Sequence, residues 1–138
     1  MRALVQRVSR ASVGVEGELV AEIGPGMVVL LGVAEGDGPE HADRLAEKLR
    51  KLRIFDDAEG RMNDPLGRRE ILCVSQFTLL ADTSRGNRPS YAAAARPEAA
   101  EPLYERVCDA LGAVRGVFGA RMSVDIANDG PVTLLLDA

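Results

Sequence analysis

The sequence predicts an α+β domain: a mixed, mainly antiparallel β-sheet with two main helices. Three observations carry this prediction. Segments with strand-like patterns open and close the chain, and two stretches with apolar residues at helical spacing stand in its interior. The chain has 138 residues, 46% hydrophobic and 28% charged, which is enough to bury one core without disulfide staples. Residues 1–138 are therefore expected to form a single domain.

Residues 2–8 alternate well enough for a strand, and Ser12 to Ile23 reads as a hairpin turning at Glu16-Gly17. After Gly24-Pro25-Gly26, the run from Met27 to Val33 is apolar on both faces, as in a buried central strand. Asp37-Gly38-Pro39 opens the clearest helix, with Asp37 as N-cap candidate and a proline early in the first turn. Ala42, Leu45, Ala46, Leu49 and Leu52 make one apolar stripe, while Glu40–Arg44 and Glu47–Lys51 are i,i+4 pairs on the solvent side. Asp56 to Arg69 is a loop or loose hairpin, Ile71 to Leu79 a strong strand, and Ala81 to Pro97 irregular. A second helix covers Pro97 to Leu111 through Ala100, Leu103, Val107 and Leu111; Pro102 either kinks it or marks a later start. Met122, Val124 and Ile126 alternate with Ser123 and Asp125 as a half-buried strand. Asn128-Asp129-Gly130-Pro131 reads as a turn before a final strand, Val132 to Leu136. That strand has leucine on both faces: one face serves the core and the other a partner subunit, or both are covered within the chain.

Charge narrows the function classes. Lys and Arg number 17 against 21 Asp and Glu, a net charge of −4 with no basic run. Strong, sequence-blind nucleic-acid binding needs clustered cations, so any contact with RNA is expected to be small. No stretch nears the 18 apolar residues of a membrane span, and the first residues lack the apolar core of a signal peptide, so a cytoplasmic protein is expected. Cys73 and Cys108 lie in apolar stretches without CxxC spacing, as suits a reducing compartment.

Familiar catalytic sets are missing. The one histidine, His41, falls on the first turn of a helix, where it is expected to be solvated, and nothing near it in sequence orients it for a triad. Zinc would find too few soft ligands, no phosphate loop of the GxGxxG or Walker A type occurs, and the cysteines read as buried small hydrophobes. No metal or cofactor is expected. An enzyme built from this chain must work without a conventional side-chain nucleophile and base. Two segments remain unexplained by core packing: Ser75-Gln76-Phe77-Thr78, where polar groups cluster at a strand end, and Asn128-Asp129-Gly130-Pro131-Val132-Thr133.

Those two segments in that order, Ser75-Gln76-Phe77-Thr78-Leu79 and Asn128 to Thr133, resemble the paired signature of the D-aminoacyl-tRNA deacylase family. The resemblance runs the full length, through Gln6-Arg7-Val8, Ala11-Ser12-Val13, Arg53-Ile54-Phe55, Met62-Asn63 and Gly86-Asn87-Arg88-Pro89-Ser90. Arg115 departs from it, standing before Gly116 where a small polar residue is expected. The resemblance implies hydrolysis of the ester joining a D-amino acid to the 3′-terminal adenosine of tRNA, and action on mischarged glycyl-tRNA, by a homodimer. It also implies that Gly130-Pro131 is a cis peptide reaching into the partner's pocket, pinned by Arg7, and that L-residues are rejected sterically.

On the same resemblance, the Phe77 and Thr78 amides are candidates to stabilise the oxyanion, with Ser75 and Gln76 beside them and the ribose 2′-hydroxyl assisting proton movement. Phe77 contacts the terminal adenosine or belongs to the core, and Thr78 acts through its hydroxyl only if the fold supplies a base. Arg85 and Arg88 are phosphate partners or are ion-paired to Asp82. The alternatives to this reading are a non-catalytic RNA- or DNA-binding dimer of the same fold, a hydrolase of other small esters using Cys73 or Ser75, and a structural dimer.

Overall fold

A computed structural model describes all 138 residues. The longest elements are two strands that run side by side. Strand β1 spans Arg2–Val15, and the last strand, β8, spans Ser123–Asp137; they pair antiparallel from Arg2–Asp137 to Gly14–Ser123. On its other edge β1 pairs antiparallel with β3 (Gly26–Gly32) through residues 2–8 and with β2 (Glu18–Ile23) through residues 11–15. Beyond β3 the sheet continues in parallel with β6 (Glu70–Ser75) and the short β7 (Val114–Arg115). The expected mixed, mainly antiparallel sheet is therefore present.

Helices α1 (Pro39–Lys51) and α2 (Pro97–Leu111) pack on one face of this sheet. The apolar stripe of α1 is buried at Ala42, Leu45, Ala46 and Leu49, and meets Ala3, Val5, Met27, Val29 and Leu31 from the strands. A second core of Val8, Ala11, Val13, Ala21, Ile23, Val28, Leu72 and Val74 forms on the opposite face of the sheet, where Val28, Leu72 and Val74 alternate with the residues of the first core. Tyr104 of α2 is buried with its hydroxyl donating to the Cys73 carbonyl at 2.9 Å, and burial pushes its ionisation far above the ordinary tyrosine range.

Several local expectations are corrected. Asp37 is not the N-cap of α1: Gly38 holds that position, and His41 accepts the Gly38 N–H at its Nδ1 at 2.9 Å, so the histidine is a half-buried part of the cap rather than solvated. Asp37 instead accepts the Ala34 N–H at 2.7 Å and pairs with the Met1 ammonium at 2.7 Å. Pro102 does not mark a later start for α2; the helix runs through it from Pro97. The loose hairpin exists as β4 (Phe55–Asp56) and β5 (Met62–Asp64). Strand β6 ends at Ser75, not Leu79, and Phe77–Leu80 forms a 3-10 turn. Asn128–Pro131 does not reverse the chain: it is a bulge within β8, which continues along β1 on both sides of it. Arg115 pairs with Glu105 and Asp109 of α2, a surface clamp outside either signature.

Candidate active site

The first signature lies where β6 runs out of partners. The Gln76 N–H makes the last bond toward the sheet, donating to the Leu31 carbonyl at 2.8 Å. The first bond of the 3-10 turn is from the Leu79 N–H to the Gln76 carbonyl at 3.2 Å. Between these two bonds stand the amides of Phe77 and Thr78, which belong to neither ladder nor turn, as the first donors of a helical turn do. Gly32 lets the turn sit this close to β3: a Cβ there would come within 2.5 Å of Leu80 Cδ2 and 3.0 Å of the Gln76 carbonyl. The Gln76 side-chain amide donates to Thr78 Oγ1, so both polar side chains of the turn are engaged with each other.

Ser75, Gln76 and Phe77 line a cleft of ≈ 500 Å³, closed by Val74, Tyr91, Ala95, Ala100, Phe118, Met122 and Val124 among others. Phe77 and Tyr91 stand at the rim, 54% and 38% exposed, their rings 5.0 Å apart and edge-on at 72°. Phe77 is thus not a core residue. Thr78 is exposed beside the cleft. Apart from Tyr91, no side chain lining the cleft is ionisable. Cys73, on β6 itself, is fully buried on the face the helices cover; its neighbour Cys108 and its burial hold the thiol well above its ordinary value, which makes it inert. Tyr91, Phe118 and the Ala94-Ala95 segment escape sequence reasoning; an aromatic in an irregular loop is the one signal that points to them.

The second signature forms the bulge in β8. Gln6 pairs with Thr133 and Val8 with Asn128, so four residues, Asp129 to Val132, arch out opposite Arg7. The Gly130–Pro131 peptide bond is cis, and Gly130 has φ +116°. Arg7 holds the arch: its Nε donates to the Asp129 carbonyl at 3.1 Å and its Nη1 to the Ile54 carbonyl at 2.8 Å, with Asp56 and Asp129 carboxylates at 3.5 Å. Asn128 closes the base, its Nδ2 donating to the carbonyls of Arg7 at 3.0 Å and Val132 at 3.1 Å. Sequence reasoning missed this second anchor. Gly130 and Pro131 do not line the cleft of their own chain. Arg85 and Arg88 are exposed and carry no ion pair; Asp82 does not pair with them and instead accepts the Ser84 N–H at 2.9 Å.

Beside the arch, part of one face of the sheet is uncovered. Leu4 is paired directly with Leu30 on one side and Leu135 on the other, and Leu135 is 56% exposed. Gln6 and Thr133 follow next on the same face, joined at 3.3 Å. No helix of the chain is long and apolar enough to cross a membrane.

Known proteins share both the sequence and the fold. The sequence profile of the family described as D-Tyr-tRNA(Tyr) deacylase matches residues 4–137. A protein of Dehalococcoides mccartyi named D-aminoacyl-tRNA deacylase is 57% identical, the match covering 100% of this chain and 95% of that one. One of the same name from Anaeromyxobacter dehalogenans is 53% identical over 100% and 97% of the two chains. Among solved structures, one named c-Myc DNA Unwinding Element Binding Protein superposes with TM-score 0.95 at 40% identity, covering 100% and 99%. Another, described as a probable eukaryotic D-amino acid tRNA deacylase, has TM-score 0.82 at 17% identity over 99% and 98%, a likeness of fold alone.

Proposed function

The chain belongs to the D-Tyr-tRNA(Tyr) deacylase family, and on that premise we propose that it hydrolyses the ester bond of D-aminoacyl-tRNA, releasing tRNA and the D-amino acid. The observation that carries this reading is the pair of uncommitted amides, Phe77 and Thr78, at the mouth of a cleft whose lining offers no acid, base or nucleophile pair. An aminoacyl ester is already reactive. The protein then has to hold it and stabilise the oxyanion that develops on water attack; a single fixed donor is worth about 10²–10³ in rate. The neighbouring ribose 2′-hydroxyl moves the proton. Phe77 and Tyr91 at the rim offer rings on which the terminal adenine stacks.

Handedness is judged by main chain. A carbonyl of the Gly130-Pro131 arch accepts from the substrate α-ammonium; with that group and the ester both fixed, an L side chain points into the arch and a D side chain away from it. Glycine has no side chain to clash, so glycyl-tRNA is a substrate too. The arch belongs to a second copy of the chain. That reading is supported by its absence from its own cleft and by the leucine face beside it, where a partner covering Leu4, Leu30 and Leu135 meets the arch at its edge. A cytoplasmic homodimer is the form in which this chain would meet its aminoacyl-tRNA substrate. Arg85 and Arg88, free of ion pairs, are phosphate partners near the cleft.

The test is hydrolysis of D-tyrosyl-tRNA and L-tyrosyl-tRNA by the purified protein. Selective release of D-tyrosine is expected; equal rates on both, or none, overturn the proposal. The name of the 40% identical structure, a DNA-element binding protein, motivates the competing reading, a DNA- or RNA-binding dimer without turnover. Tight shifts of DNA or uncharged tRNA at moderate salt would support it, against the net charge of −4.

A further inference from the structure

In an acidic protein, one groove is basic. The solvent face of α1 and the segment after it form a shallow groove of ≈ 390 Å³ lined by Arg44, Glu47, Lys48, Lys51, Leu52 and Arg53: four cations and one carboxylate. Glu47 is taken by Lys51 at 2.6 Å, while Arg44 and Lys48, one helical turn apart, are exposed without a carboxylate partner. Like charges at that spacing repel slightly, which offsets part of what Lys48 gains from lying in the last turn of the helix.

The position of the groove suggests its use. Arg53 on its wall donates its Nε to the Asn63 carbonyl at 2.8 Å, and the next residue, Ile54, supplies the carbonyl that receives Arg7 Nη1 at 2.8 Å. Through Ile54 and Arg7 the end of the groove is joined to the arch at Asp129–Val132. We infer that this face of α1 is a phosphate track: a tRNA whose 3′ end is held against the arch lays its acceptor-stem backbone along Arg44 and Lys48. The inference rests on the reading of the arch as the element that meets the substrate. Such contacts position the nucleic acid without reading its sequence, as suits an enzyme acting on many tRNAs.

The experiment compares wild type with an Arg44→Glu/Lys48→Glu variant and, as a neutral second variant, Arg44→Gln/Lys48→Gln. The substrates are D-tyrosyl-tRNA and the D-tyrosyl ester of adenosine, which has no stem. On tRNA the charge-reversed variant should raise KM about tenfold at low salt with kcat unchanged, and the slope of log KM against log salt should shrink by about 1 for each phosphate no longer neutralised. The neutral variant should fall between. On the adenosine ester all three proteins should be equal. Unchanged KM and slope on tRNA, or an equal loss on the stemless ester, overturns the inference. Failure of wild type to cleave either D-ester instead overturns the deacylase reading on which it stands.

Discussion

In a Gly130→Ala variant the new methyl group stands 2.5 Å from Arg7 Nη2, on a residue whose φ is +116°. That φ is rarely adopted by a residue with a side chain, and holding alanine there costs of order 1–3 kcal/mol. The guanidinium is the far end of a flexible side chain, so it moves, and its bonds at 3.1 Å to Asp129 and 2.8 Å to Ile54 loosen. Strain alone should lower Tm by about 2–4 °C per kcal/mol. The larger effect is on activity: an arch displaced by about 1 Å no longer fixes the ammonium, and misplacement of that size is worth about 10² in rate. Single-turnover deacylation of D-tyrosyl-tRNA, with dimerisation checked by sedimentation, measures it. A folded variant that keeps kcat/KM within about twofold of wild type, well short of that 10² loss, with discrimination against the L-ester intact, would refute the idea that this arch selects the substrate.

Thr78→Ala should keep most of its activity, since only the Thr78 amide is used; a loss of many orders of magnitude in kcat, as when a hydrolase loses its nucleophile, would return the chemistry to the hydroxyl. Arg7→Lys replaces a fork by a point charge that cannot hold both carbonyls; losing one charged hydrogen bond, about 1.5–3 kcal/mol, predicts a roughly 10–100-fold drop in kcat/KM, and an unchanged value would count against the pinning role. Iodoacetamide at pH 8 should leave the native enzyme fully active, because the Cys73 thiol is buried and held protonated; inactivation would favour the thiol hydrolase alternative. Arg106, hydrogen-bonded to Asp43 across the α1–α2 seam at 2.7 and 2.9 Å, holds that carboxyl below its ordinary 3.8. The folded value is the lower one, so the clamp contributes fully above 3.8 and vanishes as pH falls through the folded value; urea midpoints of wild type and Asp43→Asn should converge in that acid range and differ at pH 7.

Where residues repeat with the period of their element, the fold was legible. Ala42, Leu45, Ala46 and Leu49 turn up on the buried side of α1 because 3.6-residue spacing is a direct consequence of packing one face. The hairpin at Glu16-Gly17 was legible for the same local reason, and both residues have positive φ. Tertiary pairing was not. Asn128-Asp129-Gly130-Pro131 has the composition of a reversing turn, yet β1 is long enough to pair with the chain on both sides, so the same residues arch without turning. Phe77, Leu79 and Leu80 extend an apolar run past Ser75, but the edge of β3 ends at Gly32 and gives the ladder nothing more to bind. The identities of the polar residues marked Ser75–Thr78; only the backbone could show that two of their amides are left over. Asn128 as clasp arises from residues distant in sequence meeting in space, which periodicity does not record. The basic groove on α1 is local: Arg44, Lys48 and Lys51 follow at i, i+4 and i+7, a cluster that a count of net charge passes over.

A wall of aliphatic and aromatic groups has a kinetic corollary. The cleft's own walls hold no carboxylate, imidazole or amine, the groups that draw the limbs of a bell-shaped profile near neutrality. On the proposed reading, the response of turnover to acidity is then inherited from the passenger, whose α-ammonium is what the arch carbonyl holds: raising the pH removes that charge while it speeds the spontaneous loss of the ester, so the two rates part company in base.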